Sequence, residues 1–239
     1  MSGDHHLRQD AGPTALSEGR EPAGSDGPLS ADKSRSDGRQ QPATQRGRRT
    51  RAELLRAART VFERDGFIDA KITDIAVEAG VATGSLYTYF SGKDDIFADV
   101  LDLALEEMLH PDVRYADAHD DPAVTIEEAT RAYLESYQGN AGIMRVFEQV
   151  STIDPEFRRT RIERAMKFAE RNARGIRRLQ EAGQADPTVD AMTASIALSS
   201  MVSRVAYLTF ALGYPSGDFD ELVESMSKLW INALKITKL

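Results

Sequence analysis

The chain has no cysteine among its 239 residues. That excludes a disulfide framework, a cysteine-based zinc finger, a thiol nucleophile and a cysteine-held iron–sulfur site. Histidine is scarce: His5 and His6 lie in a polar N-terminal stretch, and His110 and His119 in one acidic loop. That loop also carries Asp112, Asp117, Asp120 and Asp121, but the spacing fits no compact metal site, and neither a metal nor a cofactor is expected. Also missing are a serine elbow, a phosphate-binding loop and a metal triad. The alternative of a small-molecule-processing enzyme therefore lacks a convergent acid–base pair or nucleophile. No segment has the alternation of a strand. No basic-then-apolar leader is present, which points to the cytoplasm. The longest apolar run, Val189 to Leu212, is broken by Asp190, Arg204 and several hydroxyl residues, so it reads as a buried or dimer-forming helix and not a membrane span.

A net charge of −8 argues at first against a nucleic-acid partner, but its distribution answers the objection. Residues 46–93 carry nine Lys/Arg against six Asp/Glu, whereas residues 94–239 carry sixteen against twenty-five. A basic segment joined to an acidic remainder is the pattern of a DNA reader with a separate second domain. The basic segment contains the most informative stretch, Ile72 to Lys93. Ile75, Ala76 and Ala79 put small and apolar groups on one helical face. Gly80 stands where the chain must reverse, a position that favours a left-handed residue. Val81 and Leu86 pack back, while Thr83, Gly84, Ser85, Tyr87, Thr88 and Tyr89 are left for a partner. One face holds the angle and the other meets a DNA groove, which is the division of labour in a helix-turn-helix.

Over about Arg51 to Val100 the chain resembles the TetR family of bacterial transcriptional regulators. The resemblance rests on Phe62 through Gly66-Phe67, Asp74-Ile75-Ala76, Ala79-Gly80-Val81, Gly84-Ser85-Leu86-Tyr87, Tyr89-Phe90, Lys93-Asp94 and Ile96-Phe97. Many positions agree in order and spacing, which a lone short motif does not offer. It implies an all-α fold of about nine helices. An N-terminal three-helix helix-turn-helix domain would join a larger C-terminal domain that binds a ligand and dimerises. The implied function is sequence-specific regulation of transcription, as a homodimeric repressor released from double-stranded operator DNA by a small apolar or amphipathic effector. A DNA-binding regulator without a ligand is the other alternative.

The expected organisation is a disordered tail over residues 1–45, a helix-turn-helix domain over 46–92 and a C-terminal domain over 93–239. The tail has almost no large apolar residue with which to offset its ordering entropy. Arg46, Arg48 and Arg49 form a basic arm suited to phosphate or minor-groove contact. Helices are expected near 51–65, 73–79, 83–90 and from Lys93, then near 123–137, 142–150, 155–182, 187–212 and 219–237. Asp154-Pro155 and Asp186-Pro187 are read as helix starts.

For DNA contact, Thr83, Gly84 and Ser85 open the recognition helix, and Tyr87, Thr88 and Tyr89 lie further along it. Lys93 opens the next helix, and the family resemblance gives it a phosphate contact. Two cap positions depart from the family pattern: Lys71, where a hydroxyl residue is usual, and Ala82, often a serine. Lys71 and Thr73 then become further DNA candidates, and Thr83 a substitute cap. In the second domain, Tyr133, Tyr137, Met144, Phe147, Glu148, Met166, Met192, Met201, Arg204 and Tyr207 are the pocket candidates. Methionine and aromatics suit an adaptable apolar site, and Glu148 and Arg204 interrupt apolar stretches. Ile196, Ser200, Ser203, Leu222, Met226, Trp230 and Leu234 are the candidates for the dimer interface.

Overall fold

Side-chain caps written into the sequence set five of the helix starts. The computed structural model describes residues 44–109, 121–215 and 217–237. The tail expected over residues 1–45 lies outside them as far as residue 43, as does the acidic loop over 110–120. The described residues form nine α-helices. Helix α1 (Gln45–Asp69) starts at Thr44, whose hydroxyl accepts from the Gly47 amide at 3.1 Å. After α2 (Ile72–Glu78), α3 (Thr83–Leu86) and α4 (Lys93–Leu109), α5 (Pro122–Gly139) is capped by Asp121. Asp154 caps α7 (Pro155–Glu181), after α6 (Ala141–Ile153), with proline in the first turn as the sequence implies. Helix α8 (Ala191–Ala206) runs on into a π-helical turn, Tyr207–Ala211, and α9 (Phe219–Leu234) ends at Lys235 in the left-handed conformation.

Three boundaries differ from expectation for identifiable reasons. The basic arm is helical: the Thr44 cap starts α1 six residues early, and arginine is a good helix former. The recognition helix is short, Thr83–Leu86, because the chain leaves helical geometry in a turn before Phe90. Asp186-Pro187 does not start a helix. The Asp186 carboxylate instead accepts from the Thr188 amide and hydroxyl at 2.9 and 2.6 Å and pairs with Lys235 at 2.7 Å. Helix α8 begins at Asp190, which caps the Thr193 amide at 2.8 Å.

One core runs through both expected domains. Phe62 and Phe67 from α1 and Phe97 from α4 meet with ring centroids 5.0–5.9 Å apart. Phe157 from α7 joins them, 5.1 Å from Phe97. Arg51 of α1 donates to the buried Asp99 carboxylate of α4, and its guanidinium lies 5.3 Å from the Phe90 ring centroid. The division expected near residue 92 is therefore not a break in packing.

The aromatic cluster depends on a kink. At Gly66 the backbone takes φ 76°, ψ 174°, which turns Phe67 toward Phe62 and Phe97. A Cβ there would meet nothing within 4 Å, so the constraint is in the backbone alone. Gly66→Ala should lower unfolding free energy by about 1–3 kcal/mol in urea titrations, since that region of φ/ψ is almost closed to other residues. An unchanged midpoint would contradict the role assigned to the kink.

Candidate DNA-reading head and ligand cavity

The reading head is built as the sequence implies. Ile75, Ala76 and Leu86 are buried to 1% exposure or less, and they lock α3 against α2. Gly80 has φ +67°, and the Val81 amide donates back to the Ala76 carbonyl at 3.0 Å, so the turn closes on the end of α2. Opposite this packed face, Lys71, Thr73, Gly84, Ser85, Tyr87 and Thr88 are exposed together, while Thr83 and Tyr89 are half-buried. Ala82 and Lys71 stand at the two N-cap positions, and neither makes a side-chain cap bond. Thr83 is thus inside the helix and not its cap.

Arg46, Arg48 and Arg49 project from the first turns of α1 and not from a free arm. No acidic residue stands in that first turn, and three cations crowd the positive end of the helix dipole. Such a placement opposes helix stability and favours an anion nearby. Arg49 also pairs with Glu53 at 3.1 Å on the surface.

Lys93 has a structural role that its position in sequence did not reveal. Its ammonium donates to the carbonyls of Ile68 and Ala70, both at 3.0 Å, and lies 4.8 Å from the Phe67 ring centroid. It closes the end of α1. The N-terminus of α4 is meanwhile occupied by Asp94 and Asp95, and the Asp95 carboxylate accepts from the Ser91 amide and hydroxyl. The phosphate contact expected of Lys93 has to compete with both arrangements.

Among the C-terminal helices lies a cavity of about 740 Å³. Helix α5 contributes Ile126, Ala129 and Tyr133, α7 contributes Phe168, Gly175 and Leu179, and α8 and α9 contribute Val202, Trp230 and Leu234. The size is that of a site for a small organic ligand, roughly 300–1,000 Å³. Burial pushes the Tyr133 hydroxyl up to about 12, although a hydrogen bond with Ser203 acts the other way, so it stays neutral at physiological pH.

Of the ten pocket candidates, Tyr133 alone lines this cavity. Tyr137, Met144 and Phe147 are buried in the main core, and burial raises the Tyr137 hydroxyl as well. Glu148 pairs with Arg161 at 3.0 Å. Met166 is exposed, and Met192, Met201 and Tyr207 are half-buried away from the cavity. Arg204 is not buried: it is exposed, with its guanidinium 5.2 Å from the Tyr207 ring centroid. Trp230 and Leu234, expected at a dimer interface, line the cavity instead, and Leu222 and Met226 belong to the core. Ile196 and Ser200 are exposed and Ser203 is half-buried.

Sequence reasoning missed the α7 wall, made by Phe168, Asn172, Gly175 and Leu179. These recur at i, i+4, i+7 and i+11, one face of a helix. A glycine inside a 27-residue helix was the available signal, since it weakens the helix and is retained where close approach or space is needed.

Two family profiles match the chain in tandem. One, described as "Bacterial regulatory proteins, tetR family", covers residues 54–100; the other, "Transcriptional regulator EthR, C-terminal domain", covers residues 126–235. The HTH-type transcriptional regulator EthR of Mycolicibacterium smegmatis is 23% identical over 211 residues, 81% of this chain and 94% of that one. The HTH-type transcriptional repressor BepR of Brucella suis is 34% identical over 91 residues, 37% of this chain and 43% of that one. Among solved structures, a TetR-family regulator from Syntrophomonas wolfei superposes with a TM-score of 0.65 at 18% identity, covering 77% of this chain and 94% of that one. The last likeness is one of fold.

Lys93→Ala should free two carbonyls at the end of α1 and lower stability by about 1–2 kcal/mol. Chemical denaturation without DNA reads this directly. A variant as stable as the parent would show that the ammonium does not hold the helix end.

Proposed function

The chain belongs to the TetR family of bacterial transcriptional regulators and is a DNA-binding regulator, and from that premise we propose that it is a homodimeric, cytoplasmic repressor released from its operator by a small apolar or amphipathic effector. The observation that carries this reading is the large, mainly apolar cavity in the same chain as an exposed helix-turn-helix. Residues 46–92 would read DNA, and residues 93–239 would hold the effector and the second subunit.

On the DNA side, Thr83, Gly84 and Ser85 would enter the major groove. Serine and threonine hydroxyls bond several base edges, and Gly84 lets the backbone come close. Tyr87, Thr88, Tyr89, Lys71, Thr73 and the arginines of α1 would anchor phosphates and fix the register. These readers are short, so DNA shape would share in specificity.

The surface of α8 supports a second copy of the chain as partner. Helix α8 with its π turn has the length and composition of a membrane span, yet only 28% of that window is buried in one subunit. Thr193, Ile196, Ala197, Ser200 and Arg204 make an exposed stripe at helical spacing, and on α9 Ser225, Leu229 and Ala233 are exposed. Small residues beside Ile196 and Leu229 allow close helix packing. Two reading heads joined this way match half-sites about one helical turn apart, or a multiple of it. An effector acts by preferring the arrangement that cannot dock both heads, and DNA must weaken the effector by the same factor.

Ile196→Glu combined with Leu229→Glu should halve the mass seen by light scattering and weaken operator binding by about a hundredfold or more, through lost bivalency. A dimer that survives both charges would refute this interface. Ser85→Ala should redistribute preference among duplexes that differ at single base pairs. Equal loss on every duplex would remove Ser85 from base reading.

A further inference from the structure

A buried glutamine on the cavity wall has a side chain that the protein leaves unpaired. Resting on the effector reading above, we infer that the cavity takes an uncharged amphiphile with an amide head, which pairs with the Gln184 carboxamide while its alkyl part lies along the apolar wall. Gln184 lines the cavity and is only 9% exposed, so the little surface it keeps borders that space. Its backbone is engaged: the amide donates to the Leu179 carbonyl at 2.8 Å, and the carbonyl accepts from the Thr237 amide at 3.0 Å. Its carboxamide has no hydrogen-bond partner among the described residues.

Neighbouring polar groups differ in this respect. The Gln180 carboxamide, at the end of α7, donates to the carbonyls of Asp186 and Val189 at 2.9 and 2.8 Å. On the cavity wall the Thr130 hydroxyl donates to the Ile126 carbonyl at 2.8 Å, and the Asn172 amide donates to the Ser199 hydroxyl at 3.1 Å. Those groups hold the protein together, whereas the Gln184 carboxamide does not. Its place is nevertheless fixed. Gly183 takes φ +70° just after α7, and the Asp186 amide donates to the Leu234 carbonyl at 2.8 Å, so the segment is pinned between α7 and α9. A carboxamide removed from water without a partner is costly, and a bound group with matching donors and acceptors offsets that cost. The carboxamide presents a carbonyl oxygen and an N–H side by side. An amide head answers both at once, through two antiparallel N–H···O=C bonds. An ester answers the N–H alone, and an ammonium the oxygen alone. Ile126, Phe168, Leu179 and Trp230 supply apolar surface for the rest of the molecule.

The chain's single tryptophan, Trp230, lines this cavity and reports occupancy by its emission. The test titrates the full-length protein and two variants with octanamide, methyl octanoate and octylammonium. Gln184→Met keeps the length of the side chain and removes both hydrogen-bonding groups. Gln184→Glu keeps its size and exchanges the donor for a charge. Both leave the backbone bonds in place, and a melting curve checks that each variant is folded. From the parent to Gln184→Met, the affinity for octanamide relative to methyl octanoate should fall about tenfold. Gln184→Glu should bind octylammonium about tenfold tighter than the parent does. A relative affinity unchanged by Gln184→Met would overturn the amide inference, leave the carboxamide to water and leave the effector cavity standing. Octylammonium bound no tighter by Gln184→Glu would overturn the place given to the head group. No change in emission with any probe on the parent would overturn both this inference and the effector reading beneath it.

Discussion

The burial of α4 on two sides is the constraint on which the rest of this structure depends. Its apolar stripe, Ile96, Phe97, Leu101, Ala104 and Leu105, is almost wholly removed from water. At one end Phe97 packs with Phe62 and Phe67 of the head and Phe157 of α7, while Arg51 and Asp99 tie α1 to the same helix. At the other end Met108 lines the cavity. Arg164 of α7 adds a strut, donating to the Leu105 carbonyl at 2.6 Å, and burial lowers its guanidinium to about 10. One 17-residue helix therefore begins at the reading head and ends at the cavity. A helix of that length is a stiff rod of about 25 Å.

Electrostatics and packing agree with this layout. The head concentrates positive charge on exposed turns where helix stability alone would not place it, at the start of α1. The remainder of the chain is acidic, which discourages nonspecific adhesion of that half to DNA.

How much of this was legible in the sequence follows from the range of the interactions involved. The head was legible because its determinants are local. Ile75, Ala76, Gly80 and Leu86 lie within twelve residues, and their spacing fixes both the buried face and the turn. Tyr133 lines the cavity whereas Met144, Phe147 and Tyr137 do not, and the sequence could not separate them, because helical periodicity says that a residue is buried and not which neighbour buries it. Trp230 and Leu234 show the same limit, since periodicity marks the inner stripe of α9 without telling that both residues line a cavity. Lys93 and Arg204 are harder cases. The partners of Lys93, the Ile68 and Ala70 carbonyls, are backbone atoms whose direction depends on the kink at Gly66, and Arg204 is exposed on a helix that reads as buried.

As a homodimer, this chain would read one DNA sequence through paired heads. Selection of bound duplexes from a random pool at fixed moderate salt, with the purified full-length protein, tests it most directly. Enrichment of one near-palindromic site whose half-sites are a helical turn, or a multiple of it, apart is the expected result. A folded protein that enriches no sequence over background would contradict it.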